Sequence, residues 1–336
     1  VIAALKVAVA RLLQGSGLLA LRERSRRGKT GIVLMYHRVN DAGDPFFPAL
    51  DTASFAAQLD LVRATYQVET MEGLLAWLAD GRPGPPRVAI TIDDGYLDTH
   101  EQALPRLKAR GLPATLFLAT APPETGQPLW LDRLRALLKH TTAETLALPS
   151  HDVGPWPLGT TAERLSALGR LAGRLKRSGK AELDAVVAGL WQALGGEGVP
   201  LPPGLSWDQV RELASGGVAI GAHTHLHYIL SRIRRAEALQ DVGESLDLIA
   251  RRVGTPARGF AYPNGTAADY SQETIDVLRE LGVSWACTTR PGFVQAGAPR
   301  LELPRIYTSM DSLASFACRL ARLTRLPADD VGTLAN

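Results

Sequence analysis

Short apolar runs recur along this chain at residues 31–36, 88–92, 114–119, 218–222, 259–262, 283–288 and 301–306, with a briefer one at 66–71. Their length and β-branched content suit buried strands. Between them lie stretches with helical spacing, at 54–66 (with Ser54 as its cap), 72–79, 98–110, 207–214, 233–253, 271–281 and 311–323. Strands alternating with helices predict parallel strands joined by crossover helices. Seven or so such units predict an α/β fold, a distorted (β/α) barrel rather than an open sheet. The rhythm breaks from about 128 to 205, a stretch rich in Leu, Ala and Arg that carries Trp130, Trp156 and Trp191 and closes on Pro200-Leu201-Pro202-Pro203. It reads as a helical insertion whose tryptophans fill its own core. The expected division is a helical leader at 1–30, a barrel at 31–325 interrupted by the insertion, and a tail at 326–336.

Composition narrows the class. At 336 residues and 46% hydrophobic, the chain can bury one large core. Its formal charge of +3 comes from dispersed basic residues, nearly all arginine, so the footprint of a nucleic-acid binder is missing. Cys287 and Cys318 cannot form a disulfide framework in so long a chain and read as small buried hydrophobes. In residues 1–20, Lys6, Arg11 and Gly15-Ser16-Gly17 interrupt every apolar run well short of the ~18 residues of a membrane span, and Arg22-Glu23-Arg24-Ser25-Arg26-Arg27 follows. The expectation is an amphipathic helix resting on the protein, with peripheral membrane contact as the sharper alternative. A cytoplasmic or membrane-peripheral location fits that reading. The oligomeric state is left open.

Two clusters carry candidate chemistry. Asp93 and Asp94 end the 88–92 strand, where a barrel gathers its active groups. As neighbours at a strand end they start in opposite directions, so one can hold a metal while the other takes a proton from water. The competing reading is a plain Asp-Gly turn. His223-Thr224-His225-Leu226-His227 follows the 218–222 strand and holds three of the seven histidines. On a continuous strand His223 and His227 would stand roughly 13 Å apart, too far to share an ion. The chain must therefore turn at Thr224, and a helical turn would bring the two to about 5 to 6 Å, with His225 pointing elsewhere. One carboxylate and two imidazoles leave positions open for water and substrate.

Thr91-Ile92-Asp93-Asp94-Gly95-Tyr96, His223-Thr224-His225-Leu226-His227 and Phe260-Ala261-Tyr262-Pro263-Asn264-Gly265 resemble the three leading motifs of the polysaccharide deacetylases of carbohydrate esterase family four, the NodB-homology domain. The resemblance covers roughly residues 31–306 apart from the insertion. It implies a metal-dependent hydrolase removing N-acetyl groups from an acetylated amino-sugar polysaccharide or glycan precursor. It also implies Asp93 as catalytic base, Asp94, His223 and His227 as ligands of a divalent ion, zinc being expected, and the 260–265 segment as a wall of the groove. Tyr36, Tyr96, Tyr262, Pro263, Asn264 and Gly265 are the candidate substrate-binding residues. A backbone N–H near Tyr96 or Tyr262 is the candidate oxyanion donor.

The chain departs from the family pattern twice. Ala261 stands where the third motif usually has an arginine orienting the base, as in the branch resembling poly-N-acetylglucosamine deacetylases; Arg305 is the candidate replacement, and Arg258 reads as a surface residue. The family's late histidine, its general acid, has no counterpart after His227. His37 can fill that role, because the first and last strands of a closed barrel are neighbours, although a core histidine is an equal reading. His100, His140 and His151 read as surface residues. The departures motivate two alternatives: a carbohydrate-binding protein with a degenerate site, or an amidohydrolase on a non-sugar substrate.

Overall fold

The computed structural model describes residues 30–81, 84, 86–308 and 312–321. Its strands are β1 (Thr30–Tyr36), β2 (Gln67–Glu69), β3 (Arg87–Asp94), β4 (Ala114–Leu118), β5 (Thr145–Leu148), β6 (Val153–Pro157), β7 (Val218–Ala222), β8 (Gly259–Ala261), β9 (Trp285–Pro291), β10 (Val294–Gln295) and β11 (Leu303–Tyr307). Strands β1, β3, β4, β7, β8, β9 and β11 pair in parallel around a ring, and β1 closes it by pairing with β3 from Gly31↔Arg87 to Tyr36↔Ile92. This is the seven-stranded distorted barrel that the alternation predicts. The distortion is local: β7 and β8 share only the pair Ala222↔Phe260, and the β9–β11 ladder shifts register between Leu303 and Arg305.

The barrel keeps two separate cores because each strand sends alternate residues to opposite faces. Ile32, Leu34, Val88, Ile90, Ile92, Leu116, Leu118 and Phe260 face outward against the surrounding helices. Val33, Ala89, Phe117, Ala261, Cys287 and Leu303 fill the lumen, which Met71, Leu74, Trp77 and Leu78 of helix Met71–Asp80 join. Gly259 is required where Trp285 crosses the lumen, since a Cβ there would lie 2.2 Å from its ring.

The insertion contains helices Trp130–His140, Thr161–Leu175 and Lys180–Ala193, and it has a core of its own built on Leu134, Leu137, Leu146, Leu171, Val186 and Leu190. Trp130, Trp156 and Trp191 pack against that core. It is not purely helical: β5 and β6 form an antiparallel hairpin around Pro149–His151. Proline and Gly154 there interrupt the Leu/Ala/Arg spacing that suggests continuous helix.

Other boundaries differ for identifiable reasons. Asp51, not Ser54, caps helix Thr52–Thr65, its side chain accepting from the Ser54 backbone N–H. The 98–110 helix is a π-helical turn at Thr99–Ala103 followed by a short α-helix at Leu104–Lys108. The strand expected at 301–306 starts at Leu303, and the last helix spans Leu313–Leu320. The 1–30 leader and the 326–336 tail lie, but for Thr30, outside the described residues. Among the described residues no helix is long and apolar enough to cross a membrane.

Candidate metal centre

Asp94, His223 and His227 converge at the carboxyl end of the barrel, with ligand atoms all within 4.8 Å of one another. Asp94 Oδ1 lies 3.3 Å from His223 Nε2 and 3.2 Å from His227 Nε2. The two histidines do not meet on a helical turn. Thr224 and His227 instead take left-handed φ values of 64° and 60°, folding the loop back on itself. Such conformations cost about 1–3 kcal/mol each in a non-glycine residue and persist only where surrounding contacts hold them. Here Thr224 Oγ1 accepts from the His227 N–H at 2.9 Å, and the buried Asp241 carboxylate accepts from the N–H groups of His225 (3.2 Å) and Leu226 (3.0 Å). His225 points away, its Nδ1 3.0 Å from Thr120 Oγ1.

Asp94 is also left-handed, at φ 77°, which turns a residue that strand alternation would send outward back over the barrel end. Gly95 follows at φ 97°, and a Cβ there would meet Leu118 Cδ1 at 2.4 Å, so glycine is needed both for the turn and for the close approach. His223 Nδ1 is 2.7 Å from the carbonyl of Ala261. That contact holds the proton on Nδ1 and leaves the Nε2 lone pair, beside Asp94, free to ligate an ion. The third motif thus serves the site through a backbone oxygen, which its side chains do not reveal.

Asp94 Oδ1 and His227 Nε2 are buried without a hydrogen-bond partner. An unsatisfied buried polar atom costs about 1–3 kcal/mol, and a divalent cation coordinated by this donor set would satisfy both. Burial works to raise the Asp94 pKa, but the two facing histidines outweigh it and hold the carboxylate well below its ordinary range. The ligand is therefore ionised. The residues present fit a metal.

Asp93 keeps the inward direction and meets Arg305 in a bidentate pair, Nη1 to Oδ1 at 2.7 Å and Nη2 to Oδ2 at 2.6 Å. Arg305 is fully buried and also donates to the Thr288 carbonyl (2.9 Å) and to Thr91 Oγ1 (3.1 Å), so its fork is fixed. Burial alone would raise the Asp93 pKa; the Arg305 charge and hydrogen bonds more than offset it, and the carboxylate sits below its ordinary value. His37 Nε2 stands 4.0 Å from Asp93 Oδ2, and both ring nitrogens of His37 are buried without a partner. Burial, the largest influence, depresses the His37 pKa against the opposing pull of Asp94 and Asp93. The structure therefore gathers Asp93, Asp94, His223, His227, His37 and Arg305 at one end of the barrel.

The tyrosines divide. Tyr96 belongs to the site's rim: its hydroxyl donates to Asp132 Oδ1 (3.3 Å), and the Arg38 guanidinium lies 4.5 Å from its ring centroid. Burial, then the Asp132 and Asp94 charges, push its pKa well above 10, so the hydroxyl stays protonated. Tyr36 and Tyr262 are not groove residues. Tyr36 faces the outer core, donates to Gln58 Oε1 at 3.0 Å and packs edge-on against Phe55. Tyr262 stacks on Tyr270 and donates to the Leu301 carbonyl at 2.9 Å, while its N–H is taken by the Cys287 carbonyl at 3.1 Å, which removes it as an oxyanion donor. Pro263, Asn264 and Gly265 form a tight turn, with the Gly265 N–H on the Pro263 carbonyl at 2.7 Å and Asn264 Nδ2 on Asp269 Oδ2 at 2.5 Å. Arg258 is exposed, a surface residue as its sequence position suggests, His100 pairs with Glu212 at 2.7 Å, and Cys287 and Cys318 are free buried thiols.

Asp132 and Arg135, from the insertion, belong to no motif in the sequence. They are buried and paired at 3.0 Å beside Tyr96. Their i,i+3 spacing within a Leu-rich helix is the only local signal, and it looks the same as a solvated face.

A family model for polysaccharide deacetylase matches residues 80–286, more than half of the chain. YxkH of Bacillus subtilis (strain 168), a putative polysaccharide deacetylase by name, is 21% identical over 279 residues, covering 82% of this chain and 71% of YxkH. The Streptococcus pyogenes deacetylase PplD, solved in complex with acetate, superposes with a TM-score of 0.59 at 17% identity, covering 89% of this chain and 99% of PplD. IcaB from Ammonifex degensii gives a TM-score of 0.57 at 21% identity, covering 88% of this chain and 98% of IcaB. The likeness to these two structures is one of fold.

Proposed function

Because the chain belongs to the polysaccharide deacetylase family, hydrolases of amide C–N bonds in polysaccharides, we propose that it removes N-acetyl groups from an amino-sugar glycan with zinc as its ion. The observation that carries this reading is the meeting of Asp94, His223 and His227 beside an Asp93 already locked by Arg305. In this reading Asp94, His223 and His227 hold the ion, which when bound supplies Lewis acidity toward an acyl oxygen and acidifies water.

The protein's own groups account for the proton movements. Asp93 is ionised and oriented by two parallel N–H donors, so it is available to take a proton from water attacking the acetyl carbon. Arg305, in direct contact with Asp93 alone among the reacting groups, acts as a positioning residue and takes the place of the arginine missing at Ala261. His37 faces the same Asp93 oxygen from 4.0 Å and is the group placed to give a proton to the departing amine as the C–N bond breaks. Since burial keeps His37 neutral at rest, it donates only after receiving a proton, and the facing Asp93 oxygen is where one arrives. The intact Asp93–Arg305 pair argues against a degenerate, binding-only site.

The test is acetate release from N-acetylglucosamine oligomers before and after chelation. Activity that vanishes with the metal and returns with added zinc is expected. Full zinc occupancy with no acetate from any N-acetylated glycan would overturn the reading in favour of a carbohydrate binder.

A further inference from the structure

The insertion reaches into the catalytic end of the barrel through helix Trp130–His140. Trp130 Nε1 donates to the carbonyl of His227 at 3.3 Å, and Asp132 accepts from the Tyr96 hydroxyl and, at 3.0 Å, from Arg135 Nη1. Asp132 is 2% exposed and Arg135 5%. A guanidinium carries five N–H donors. Among the described residues, the bond to Asp132 is the only hydrogen bond of the Arg135 side chain, and its Nε and Nη2 are left unpaired without being fully sealed from solvent. The neighbouring contacts identify their surroundings: Asp132, the partner of Arg135, also holds the hydroxyl of Tyr96, which follows the Asp93-Asp94-Gly95 turn, and Trp130 of the same helix is bonded to the backbone of His227. Arg135 therefore lies beside the metal centre, on the side of the site that the insertion covers.

We propose that Arg135, aimed by Asp132, is a substrate-binding residue whose free N–H groups hold hydroxyl or ring oxygens of the pyranose that carries the acetamido group. The inference rests on the deacetylase reading and extends it: the insertion supplies the sugar contact and the barrel supplies the chemistry. A guanidinium suits this task because it is always charged and planar, and Asp132 fixes its orientation in advance, so little side-chain freedom is lost on binding.

The test is steady-state kinetics of acetate release from N-acetylglucosamine oligomers by zinc-loaded wild type, Arg135→Met and Arg135→Lys, with zinc content and thermal unfolding measured on each. Arg135→Met should raise KM by about tenfold or more, as loss of a charge-assisted hydrogen bond predicts, with a smaller change in kcat and full zinc content. Arg135→Lys should recover part of that loss. An unchanged KM in a folded, zinc-loaded Arg135→Met would overturn the assignment, and so would a fall in kcat alone. If the methionine variant does not fold, a wild-type KM in Arg135→Lys overturns the assignment equally. A zinc-loaded wild type that releases no acetate from any N-acetylated glycan overturns the deacetylase reading itself and takes this inference with it.

Discussion

The barrel lumen and the insertion are both sealed from water, and they are filled with opposite materials. The insertion's core is apolar throughout, Leu134, Leu137, Leu171, Val186 and Leu190 among its members. The lumen begins in the same way, with Val33, Ala89, Phe117 and Leu303, and then at its carboxyl end gives way to Thr91, Asp93 and a fully buried Arg305. A buried ion pair is weak support for a fold, because desolvation roughly cancels attraction, but breaking it strands a charge. The contrast teaches that the two regions divide the labour: the insertion holds its shape by burial of apolar surface, while the lumen accepts costly charges where chemistry needs them. The two meet at Trp130, Asp132 and Arg135 of helix Trp130–His140.

That division can be broken or sharpened by substitution. The largest effect is expected at Asp93→Asn, which should lower kcat by about 10²–10⁴-fold with zinc content intact, measured by acetate release and metal analysis. Arg305→Met should destabilise the protein by about 3–5 kcal/mol in denaturant titration, since Asp93 would be left buried without its partner. Leu137→Ala, at a position with no exposed surface, should cost about 2–5 kcal/mol through the cavity it leaves, yet zinc content should not fall. Loss of zinc in that variant would end the division of labour, since the insertion's core would then also hold the metal centre in place. The smallest effect is expected at Thr160→Ala, which removes the capping box with Glu163 on helix Thr161–Leu175 and should cost about 1 kcal/mol with unchanged kcat.

Much of this molecule is legible in its residue pattern. The strand and helix alternation, the Asp-Asp-Gly turn and the histidine cluster are local features, and each is readable because periodicity and turn chemistry act over a few residues. Direction is harder to read. Residues Ile32 to Tyr36 are apolar on both faces of β1, so nothing in their order marks which face meets the lumen, and Tyr36, a groove candidate by its place in the chain, packs outward with Phe55. The same ambiguity holds for Tyr262. Helical spacing predicts the meeting of His223 and His227 for the wrong reason, since left-handed residues held by Asp241 accomplish it.

By itself, then, the sequence determined the barrel's rhythm and the identity of the groups that can bind an ion and move a proton. Only the tertiary structure decided their arrangement. Closure of β1 onto β3 and β11 sets His37 beside Asp93, and Arg305 reaches the same carboxylate across 212 residues of chain. The physical reason is range: a strand's period is written in neighbouring residues, whereas the φ of Asp94, the fork of Arg305 and the approach of Arg135 are imposed by packing between segments that never meet in sequence.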